Sequence, residues 1–547
     1  MPKYIFVTGG VVSSLGKGIV AASIGLLLKS RGLNVAHQKL DPYLNANPGA
    51  MDPEEHGEVY ITEDGNDTDL DLGYYERFTG TQMHKNSSYS AGKIYNILFQ
   101  KEQKGGEFYG KTIQVVPHLT NEIQTAIRSA GNEKTDIVIV EIGGTVGDIE
   151  GFPFLEAARL FRQKEGYRNT YFVHCTLIPH LKKADEIKTK PTQHSVAELR
   201  KIGITPNMLV CRVEEEHHLN EDVREKLGLF CNVDTNSVLG SFDYKHTIYE
   251  IPVSLANQNI DTQILDYFRL PITQTRQIDE WLEYIENFQK AKDEITIAII
   301  GKYTKIPDTY KSITESIHHA ATALKVKADI KVINSGMLEA KGKGDFEKAE
   351  KILKNVDGIL VPDAFGDKVG IEGKITAIKY ARENNIPFFG IGLGMQMAAV
   401  EFARNICGFA DACSCETDNR TKHPIIENKV ARLGAKPCKL SDKTLAAKLY
   451  GKNEISERHR HSYEFNNEYR KKLEEKGMVF SGLSADGLLV DIVELPKHPH
   501  FVGVQFRPEF KSRPIEPHPL FTGFIEAAIE KCKIGKYRRT EKIFCAI

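Results

Sequence analysis

The feature that most constrains the fold is a short apolar strand that runs into a glycine-rich loop and then a helix. Residues 3–9 read KYIFVTG, the string GGVVSSLGKG follows at 9–18, and an apolar stretch continues at 19–31. Glycines let a backbone wrap closely around a phosphate, and the N–H groups at a helix start attract its negative charge. Lys17 is placed where its amine can reach the outer phosphates of a nucleotide. The string therefore predicts a phosphate-binding loop between a strand and a helix.

The loop differs from the usual nucleotide-binding motif in two ways. The spacing from Gly10 to Gly16 is one residue longer than usual, and Gly18 stands where Ser or Thr normally follows the lysine. These departures favour a relative of the P-loop proteins that performs ligation or synthesis, rather than a motor or a switch. The alternative is a glycine-rich turn that binds nothing.

Length and composition bound the remaining possibilities. At 547 residues the chain is too long for one core, so we expect two or three domains. The 72 basic and 73 acidic side chains nearly cancel, which argues against nucleic acid as a partner. No apolar run is long enough to span a membrane, and no leader precedes the first strand. The nine scattered cysteines show no disulfide pattern, so we expect a cytoplasmic α/β enzyme.

Strand-like and helical segments alternate in two series, which predicts two domains with parallel sheets. Strands are expected at 4–8, 35–39, 136–141, 170–177 and 208–212, and then at 295–300, 330–333, 358–362, 387–391 and 502–506. We place the domains at 1–268 and 294–535, a linker helix at 269–293 and a polar tail at 536–547. An apolar stripe from Ile278 to Phe288 marks the linker helix, although an ordinary core helix would show the same stripe.

Polar segments in the first half lie where the strands should end, which is where ligands bind in open α/β sheets. Asp71 in TDLDLG and Glu141 in EIGGTVGDIE come from separate segments, as the ligands of a cation that bridges nucleotide phosphates do. They are our candidates for magnesium, whereas Asp69 is expected to be a helix cap or a solvated loop acid. The loop KTKPTQ at 188–193 offers two lysines, a hydroxyl and an amide, which suits a second polyphosphate.

Five motifs in order carry a resemblance to a known family. The strings GGVVSSLGKG, QKLDPY, TDLDLG, EIGGTVGDIE and KTKPTQHS resemble those of the CTP synthase family, and the resemblance extends over essentially the whole chain. It implies a P-loop-type parallel-sheet synthase domain followed by a class I glutaminase-like α/β domain. The implied reaction uses ATP to phosphorylate the uracil O4 of UTP, after which ammonia displaces the phosphate to give CTP.

The resemblance also implies roles for individual residues. Lys17 and Lys39 would be catalytic, Asp71 and Glu141 would hold Mg²⁺, and His56 would lie on the ammonia path. The implied ATP-binding residues are Ser14, Leu15, Gly16, Lys17, Gly18, Ile19 and Asp71. The implied residues for UTP and the feedback inhibitor CTP are Ser13, Asp148, Ile149, Glu150, Lys188, Thr189, Lys190, Pro191, Thr192, Gln193 and Lys226. One departure is the segment 241–244, SFDY, which stands where the family usually has a Lys-Asp pair near adenine.

The second half resembles a class I glutaminase whose catalytic residues have been replaced. Gly392 stands in place of the cysteine nucleophile and Arg507 in place of the histidine base, so that Glu509 alone remains of the triad. Asp363 begins the segment DAFG, where the family has glycines that shape the oxyanion hole, and Ser462 replaces an arginine that clamps the substrate carboxylate. The full set of vestigial positions is Gly392, Arg507, Glu509, Ala364, Gln396, Glu416 and Ser462.

Two functions remain open at this point. The first is an ATP-dependent ligase that makes CTP from UTP with free ammonia, assembled as a homo-oligomer between dimer and tetramer. The alternative is a non-catalytic subunit that senses CTP or UTP and assembles with an active synthase. The set of Lys17, Lys39, Asp71 and Glu141 argues for the enzyme, because a sensor has no need for all four.

Overall fold

A computed structural model describes residues 2–272, 274–339, 345–364 and 370–544. The chain divides into two compact units. The first comprises Met1–Ala50 and Asp67–Ile285, and the second comprises Met51–Asn66 and Glu286–Ile547. Among the described residues, no helix is both long enough and apolar enough to cross a membrane.

The first unit is built on a seven-stranded sheet in which all neighbouring strands run parallel. From one edge to the other the strands are Val238–Phe242, Met208–Val213, Thr170–Leu177, Lys3–Gly9, Ile137–Ile142, Val35–Asp41 and Ser88–Ser90. The central strand is almost entirely buried, with Ile5, Phe6 and Val7 fully shielded from solvent. Strands covered on both faces read as continuous apolar runs, and the parallel sheet predicted from those runs is confirmed.

Helices and short strands complete the first unit. The helices of seven or more residues are Lys17–Ser30, Asp71–Thr79, Ala91–Glu102, Thr120–Ser129, Phe152–Glu165, Lys190–Lys201, Glu221–Cys231, Ile251–Asn257 and Ile260–Phe268. A two-stranded hairpin pairs His180–Leu181 with Glu186–Ile187. Because the main strands are parallel, their carboxyl ends meet at one edge, and the polar loops that follow them lie together there.

The second unit has a ten-stranded mixed sheet. Its parallel part runs in the order Val326–Asn334, Asp293–Gly301, Gly358–Val361, Phe388–Ile391 and Phe501–Val504. Antiparallel strands continue it, namely Val490–Glu494, Val479–Ser484, Pro424–Leu440 and Glu454–Phe465, and Cys413–Ser414 adds a short parallel edge. The longer helices are Lys311–Ala323, Asp345–Leu353, Ile371–Glu383, Leu393–Asn405 and Pro519–Phe544.

The segment 51–66 belongs to the second unit although it is remote from that unit in sequence. Tyr60 is buried and its hydroxyl donates to the carbonyl of Phe510. Arg458 donates to Glu63 at 2.8 Å and to the Tyr60 hydroxyl at 3.1 Å. The contacts of Arg458 and Tyr60 therefore tie this excursion to the second sheet.

Helices occupy part of the predicted linker and part of the predicted tail. The linker region contains the helix Asp279–Lys290, where the indole N–H of Trp281 donates to the carbonyl of Tyr249 at 2.8 Å. The boundary between the two units falls after Ile285, inside this helix. The helix Pro519–Phe544 includes most of the predicted tail, and residues 545–547 lie outside the described part. The domain bounds derived from the sequence stay predictions.

Candidate functional site

The loop at 10–16 connects the central strand to the helix Lys17–Ser30. Val11, Ser14 and Gly16 all have positive φ, at 80°, 58° and 87°. A β-branched residue rarely adopts such a conformation, and strained backbone of this kind concentrates at ligand-binding loops. In the described part of the chain no side chain caps the start of this helix, so its first N–H groups point outward, as in anion-binding helix starts.

Residues from other segments pack against the loop at 10–16 and its flanking residues. Lys17 donates to the carbonyl of Gly144 at 2.6 Å. A Cβ at Gly10 would overlap the hydroxyl of Ser195, and one at Gly9 would lie 2.6 Å from the Lys17 side chain. Close packing thus excludes a side chain at Gly10, whereas at Gly9 the flexible Lys17 side chain would have to move. Of the other predicted ATP residues, Leu15 is buried and Ile19 is half-buried.

Lys39 brings the two candidate metal ligands together. It lies at the end of its strand, buried, and its ammonium pairs with the carboxylate of Asp71 and with Glu141 Oε1 at 2.9 Å. Asp41 Oδ1 is 3.9 Å from the same nitrogen. Asp71 begins the helix Asp71–Thr79, and Glu141 comes from a different strand, so the carboxylates of two separate segments converge on one cation.

Tyr75 is a member of this cluster that sequence reasoning missed. Its hydroxyl donates to Glu141 Oε2, and its ring stacks on His37 with ring centres 4.8 Å apart. The signal was present, since Tyr75 lies four residues after Asp71 and therefore on the same side of one helix. The Tyr75 hydroxyl fixes the orientation of Glu141.

The structure also explains why glycine occupies position 18. A Cβ at Gly18 would lie 2.2 Å from Asp71 Oδ1. In the usual motif a hydroxyl at this position reaches the metal. Here the missing side chain leaves the space to a carboxylate from another segment. Asp69 is half-buried and accepts the N–H of Asp71 at 3.0 Å, and its assignment as a helix cap or a solvated acid stays a prediction.

Charge is concentrated in this cluster. Burial by itself would lower the pKa of Lys39, but the carboxylates of Asp71, Glu141, Asp41 and Asp69 raise that pKa well above its ordinary value. Lys39 therefore stays protonated. Among the described residues no group of three or more His, Cys, Asp and Glu side chains is arranged to hold a metal alone. A cation here would need phosphate or water oxygens besides Asp71 and Glu141, as magnesium at nucleotides does.

The segment predicted for UTP and CTP forms the start of the helix Lys190–Lys201. Pro191 lies in the first turn, where its missing N–H costs no hydrogen bond. Thr192 is buried and donates to the carbonyl of Leu177, and Gln193 donates to the Thr189 hydroxyl at 3.1 Å. Lys188 pairs with Glu186 at 2.5 Å. Among the described residues no side chain caps the start of this helix.

The remaining predicted nucleotide residues lie on other loops and on one helix. Asp148 accepts the N–H of Thr145 at 3.0 Å, whereas Ile149 and Glu150 are exposed and border an apolar cavity of about 220 Å³. Lys226 is exposed on the helix Glu221–Cys231, one turn before Phe230, over whose ring the Lys190 ammonium lies 5.8 Å from the centre. The helix starting at Lys190 and the helix bearing Lys226 are therefore neighbours.

Arg212 is a second residue that sequence reasoning missed. Its guanidinium donates to the carbonyl of Ser14 at 2.8 Å and pairs with Asp243 at 3.1 Å. It thus links the phosphate-binding loop to the segment 241–244, where the sequence departs from the family. Ser13 is exposed next to this link.

His56 ends the one-turn helix Pro53–His56 in the second unit, and its imidazole is 47% exposed. Its contact with Glu55 is 4.0 Å long. An exposed, loosely held imidazole is compatible with a role on a path for a small polar molecule, but the position on the ammonia path stays a prediction.

In the second unit, Gly392 connects the strand Phe388–Ile391 to the helix Leu393–Asn405. It has φ 56° and ψ −113°, a conformation that glycine adopts without a steric penalty. A Cβ at this position would lie 2.7 Å from both Cγ and Oδ1 of Asp363. The Asp363 carboxylate also accepts the N–H of Leu393 at 2.9 Å. A carboxylate thus binds the backbone N–H that follows the predicted nucleophile position.

Arg507 holds that carboxylate in place. Its guanidinium donates to Asp363 Oδ2 at 3.0 Å and to Glu509 Oε1 at 2.6 Å, and the Arg507 side chain is 11% exposed. Burial opposes the charge, but Glu509 and Asp363 raise the pKa of Arg507 further above its already high value. The cavity that these three side chains border has about 30 Å³, room for about two water molecules.

A larger cavity of about 270 Å³ lies beside this ion-pair cluster. It is lined by Asp363 and Arg460 and by four of the predicted vestigial positions, Ala364, Gln396, Glu416 and Ser462. Gln396 donates to the carbonyl of Tyr463 at 3.0 Å. Burial, and next the charge of Asp363, raise the pKa of Glu416 to about 7. Phe365 and Gly366 of the DAFG segment lie outside the described residues.

Comparison with known families agrees with this arrangement. The family described as CTP synthase N-terminus matches residues 3–270, and the family described as glutamine amidotransferase class-I matches residues 305–527. The fold expected from the resemblance, a synthase domain followed by a class I glutaminase-like domain, is therefore confirmed.

Full-length relatives extend the match to almost the whole chain. A CTP synthase of Fibrobacter succinogenes is 51% identical over 98% of this chain and 96% of its own length. The CTP synthase of Bacillus subtilis is 49% identical over 97% of this chain and 99% of its own. A solved glutaminase domain of Trypanosoma brucei CTPS with bound acivicin is 36% identical, and the match covers 43% of this chain and 94% of that one with a TM-score of 0.41. The chain belongs to the CTP synthase family.

Proposed function

We propose that this chain aminates UTP with free ammonia and that its second domain does not hydrolyse glutamine. Membership of the CTP synthase family supports the conversion of UTP to CTP, and the source of nitrogen is the added element. The observation that carries the proposal is the Asp363 carboxylate, which accepts the N–H of Leu393 and fills the space of a side chain at 392.

Glutamine hydrolysis needs a site that stabilises a developing oxyanion next to the nucleophile. In this chain a negative charge already binds the N–H of Leu393, so an oxyanion would be repelled there. Gly392 offers no nucleophile. Replacement of the cysteine and occupation of the oxyanion position each suffice to stop the reaction.

The base is lost for an independent reason. A guanidinium stays protonated at neutral pH and has no lone pair that accepts a proton. Arg507 is in addition held between Asp363 and Glu509. Glu509, which would orient a histidine in an active triad, here neutralises a cation. Ser462 at the cavity wall offers no charge to a substrate carboxylate, whereas an arginine would bind it with two parallel hydrogen bonds.

The first unit supplies what the synthase reaction requires. Lys17 and Lys39 would stabilise the charge that moves from ATP to the uracil O4 during phosphoryl transfer. Magnesium supplies charge neutralisation across the ATP phosphates, and the convergence of Asp71 and Glu141 on one cationic nitrogen fits it. Phosphorylation turns a carbonyl oxygen into a leaving group, which ammonia then displaces at C4. His56 remains the candidate for the ammonia path.

The other nucleotide residues complete the proposal. The helix start at Lys190, with Lys188, Thr189, Thr192 and Gln193, would bind the triphosphate of UTP or of the feedback inhibitor CTP, since helix starts attract anions. We expect a cytoplasmic homo-oligomer between dimer and tetramer. The grouping of Lys39, Asp71, Glu141 and Tyr75 favours an enzyme over a CTP- or UTP-sensing subunit, because binding alone needs no such cluster.

The test is CTP formation from UTP and ATP with either ammonium or glutamine as the only nitrogen source. Ammonium should support turnover, and glutamine freed of contaminating ammonia should give a rate at least about a thousandfold lower, as expected when nucleophile and base are both missing. Lys17→Ala should abolish the ammonium-dependent rate, which assigns that rate to the phosphate-binding loop. Glutamine-dependent turnover at a rate comparable to the ammonium-dependent rate would contradict the proposal.

A further inference from the structure

We propose that the ammonium of Lys39 and the magnesium ion compete for carboxylate oxygens of Glu141 and Asp71, so that metal binding displaces Lys39 from them. The inference rests on the proposed metal ligands Asp71 and Glu141. It adds that Lys39 has two positions, one in the absence of the metal and another when the metal is bound.

The competition follows from how the oxygens of Glu141 are used. Its Oε2 accepts the Tyr75 hydroxyl, and its Oε1 accepts the Lys39 ammonium at 2.9 Å. Glu141 is 1% exposed, so it has little freedom to turn. A magnesium ion binds its oxygens at about 2.0–2.1 Å and would take Oε1 from Lys39. The ammonium cannot stay beside a divalent cation, because like charges at such a distance repel strongly.

Asp71 shares one of its two carboxylate oxygens with Lys39. Its Oδ2 pairs with Lys39, while its Oδ1 faces Gly18 so closely that a Cβ there would lie 2.2 Å away. Lys39 therefore holds one oxygen of Asp71, and the other oxygen lies where the usual motif places a metal-binding hydroxyl. Glu141 can offer a metal only the oxygen that Lys39 holds, and a metal that takes both oxygens of Asp71 would displace Lys39 there as well.

The charges around Lys39 explain where it would go. The carboxylates of Asp41, Asp69, Asp71 and Glu141 all act on it, and Lys17 is the other ammonium that acts on Asp71 and Glu141. Asp41, 3.9 Å away, would keep the displaced ammonium at the strand end. A lysine stem is flexible enough for such a move.

The experiment measures Mn²⁺ binding to the full chain without nucleotide. Bound Mn²⁺ is followed by the loss of the electron paramagnetic resonance signal of free Mn²⁺. Lys39→Met should bind Mn²⁺ about tenfold or more tightly than the unaltered chain. A neighbouring charge commonly shifts the pKa of an ionisable group by about one unit, and we expect the removal of the Lys39 charge to change Mn²⁺ affinity by a similar factor. Lys39→Met should at the same time lose ammonium-dependent CTP formation. Unchanged or weaker Mn²⁺ binding by Lys39→Met would overturn the competition.

Two controls separate this inference from the metal assignment. Asp71→Asn and Glu141→Gln should weaken Mn²⁺ binding, and if neither does, the assigned ligands are wrong and the competition falls with them. If both do but Lys39→Met does not bind more tightly, only the competition fails. Should Lys39→Met not fold, labelling of Lys39 in the unaltered chain by an amine reagent, read by mass spectrometry, replaces it. Labelling should rise with Mn²⁺, and unchanged or reduced labelling would refute the release of Lys39.

Discussion

At the scale of single residues, Gly392 and Asp363 form one unit. The glycine leaves room for the carboxylate, and the carboxylate binds the N–H that follows the glycine. Arg507 then balances the charge that Asp363 introduces beside Glu509. The three residues therefore fit one another: Gly392 avoids a steric overlap with Asp363, and Arg507 neutralises the carboxylates of Asp363 and Glu509.

This interdependence predicts a non-additive effect on stability. Gly392→Ala should lower the free energy of unfolding of the second unit by about 1–3 kcal/mol, since it adds a strained φ and an overlap with Asp363. In the double variant with Asp363→Gly, the loss should be smaller than the sum of the two single losses. Hydrogen exchange of the helix Leu393–Asn405 measures this, and strictly additive losses would contradict the account.

Lys374 gives a prediction about pH. It is 1% exposed and donates to the carbonyl of Pro362 at 3.3 Å, and burial lowers its pKa from 10.5 to about 8. Between these values the unfolded chain binds a proton that the folded chain does not, so stability rises with pH from about 8 to about 10.5. Below about pH 8 the fold bears the full cost of the buried charge.

Lys374→Met should therefore stabilise the second unit at pH 7, by up to about 3 kcal/mol before the lost hydrogen bond is counted. The gain should shrink between pH 8 and pH 10. The free energies of unfolding of Lys374→Met and of an exposed control, Lys448→Met, would each be compared with that of the unaltered chain at pH 8 and at pH 10. A gain that is independent of pH, or equal in the control, would rule out the buried charge as its cause.

At the scale of elements, the start of the helix Lys17–Ser30 is shaped by Asp71. Gly18→Ala should push the Asp71 carboxylate away, because the new Cβ would lie 2.2 Å from Oδ1. We expect a higher Mg²⁺ concentration at half-maximal ammonium-dependent turnover and a loss of stability of about 1–3 kcal/mol. Trp281, the one tryptophan of the chain, lies buried in the first unit and reports its unfolding. If Gly18→Ala lowers the free energy of unfolding as much in an Asp71→Ala variant as in the unaltered chain, the overlap with Asp71 does not cause the loss of stability.

Elements differ in how well the sequence predicts them. Most of the parallel strands follow from the continuous apolar runs of buried strands, and Thr170–Leu177 matches the expected 170–177. The parallel strands Ser88–Ser90 and Val238–Phe242 were not predicted. The long antiparallel pair Pro424–Leu440 and Glu454–Phe465 was not predicted, since its polar, partly exposed sequence lacks such a run. The docking of 51–66 was also missed, because Glu63 meets Arg458 across 395 positions, which no local pattern encodes.

The candidate site shows the same division. Lys17, Asp71 and Glu141 follow from strand ends and glycine spacing, which are local signals. The contact between Asp363 and the N–H of Leu393 depends on two strands that meet only in the folded sheet. The link from Arg212 to Ser14 likewise joins segments that only the tertiary structure brings together. Sequence can therefore name the residues at such a site, whereas their pairing needs the tertiary structure.

At the scale of the whole molecule, the two units should respond differently to nucleotides. GTP promotes glutamine hydrolysis in the family that the sequence resembles, so ammonium-dependent turnover of this chain should show no stimulation by GTP. CTP should inhibit in competition with UTP, because the helix start at Lys190 and Asp148 are present. An effector acts only through a difference in free energy between states. Steady-state rates with each nucleotide test this, and clear stimulation by GTP would mean that the second unit still transmits a signal.

The most direct measurement of the central claim offers both nitrogen sources at once. The full chain would receive UTP, ATP, Mg²⁺, unlabelled ammonium and glutamine labelled with ¹⁵N at its amide, and mass spectrometry would read the isotope in the amino group of the CTP formed. We propose that Gly392, Asp363 and Arg507 leave no nucleophile, no open oxyanion position and no base, so the product should carry unlabelled nitrogen only. CTP enriched in ¹⁵N above the level from free ammonia in the glutamine would contradict the account.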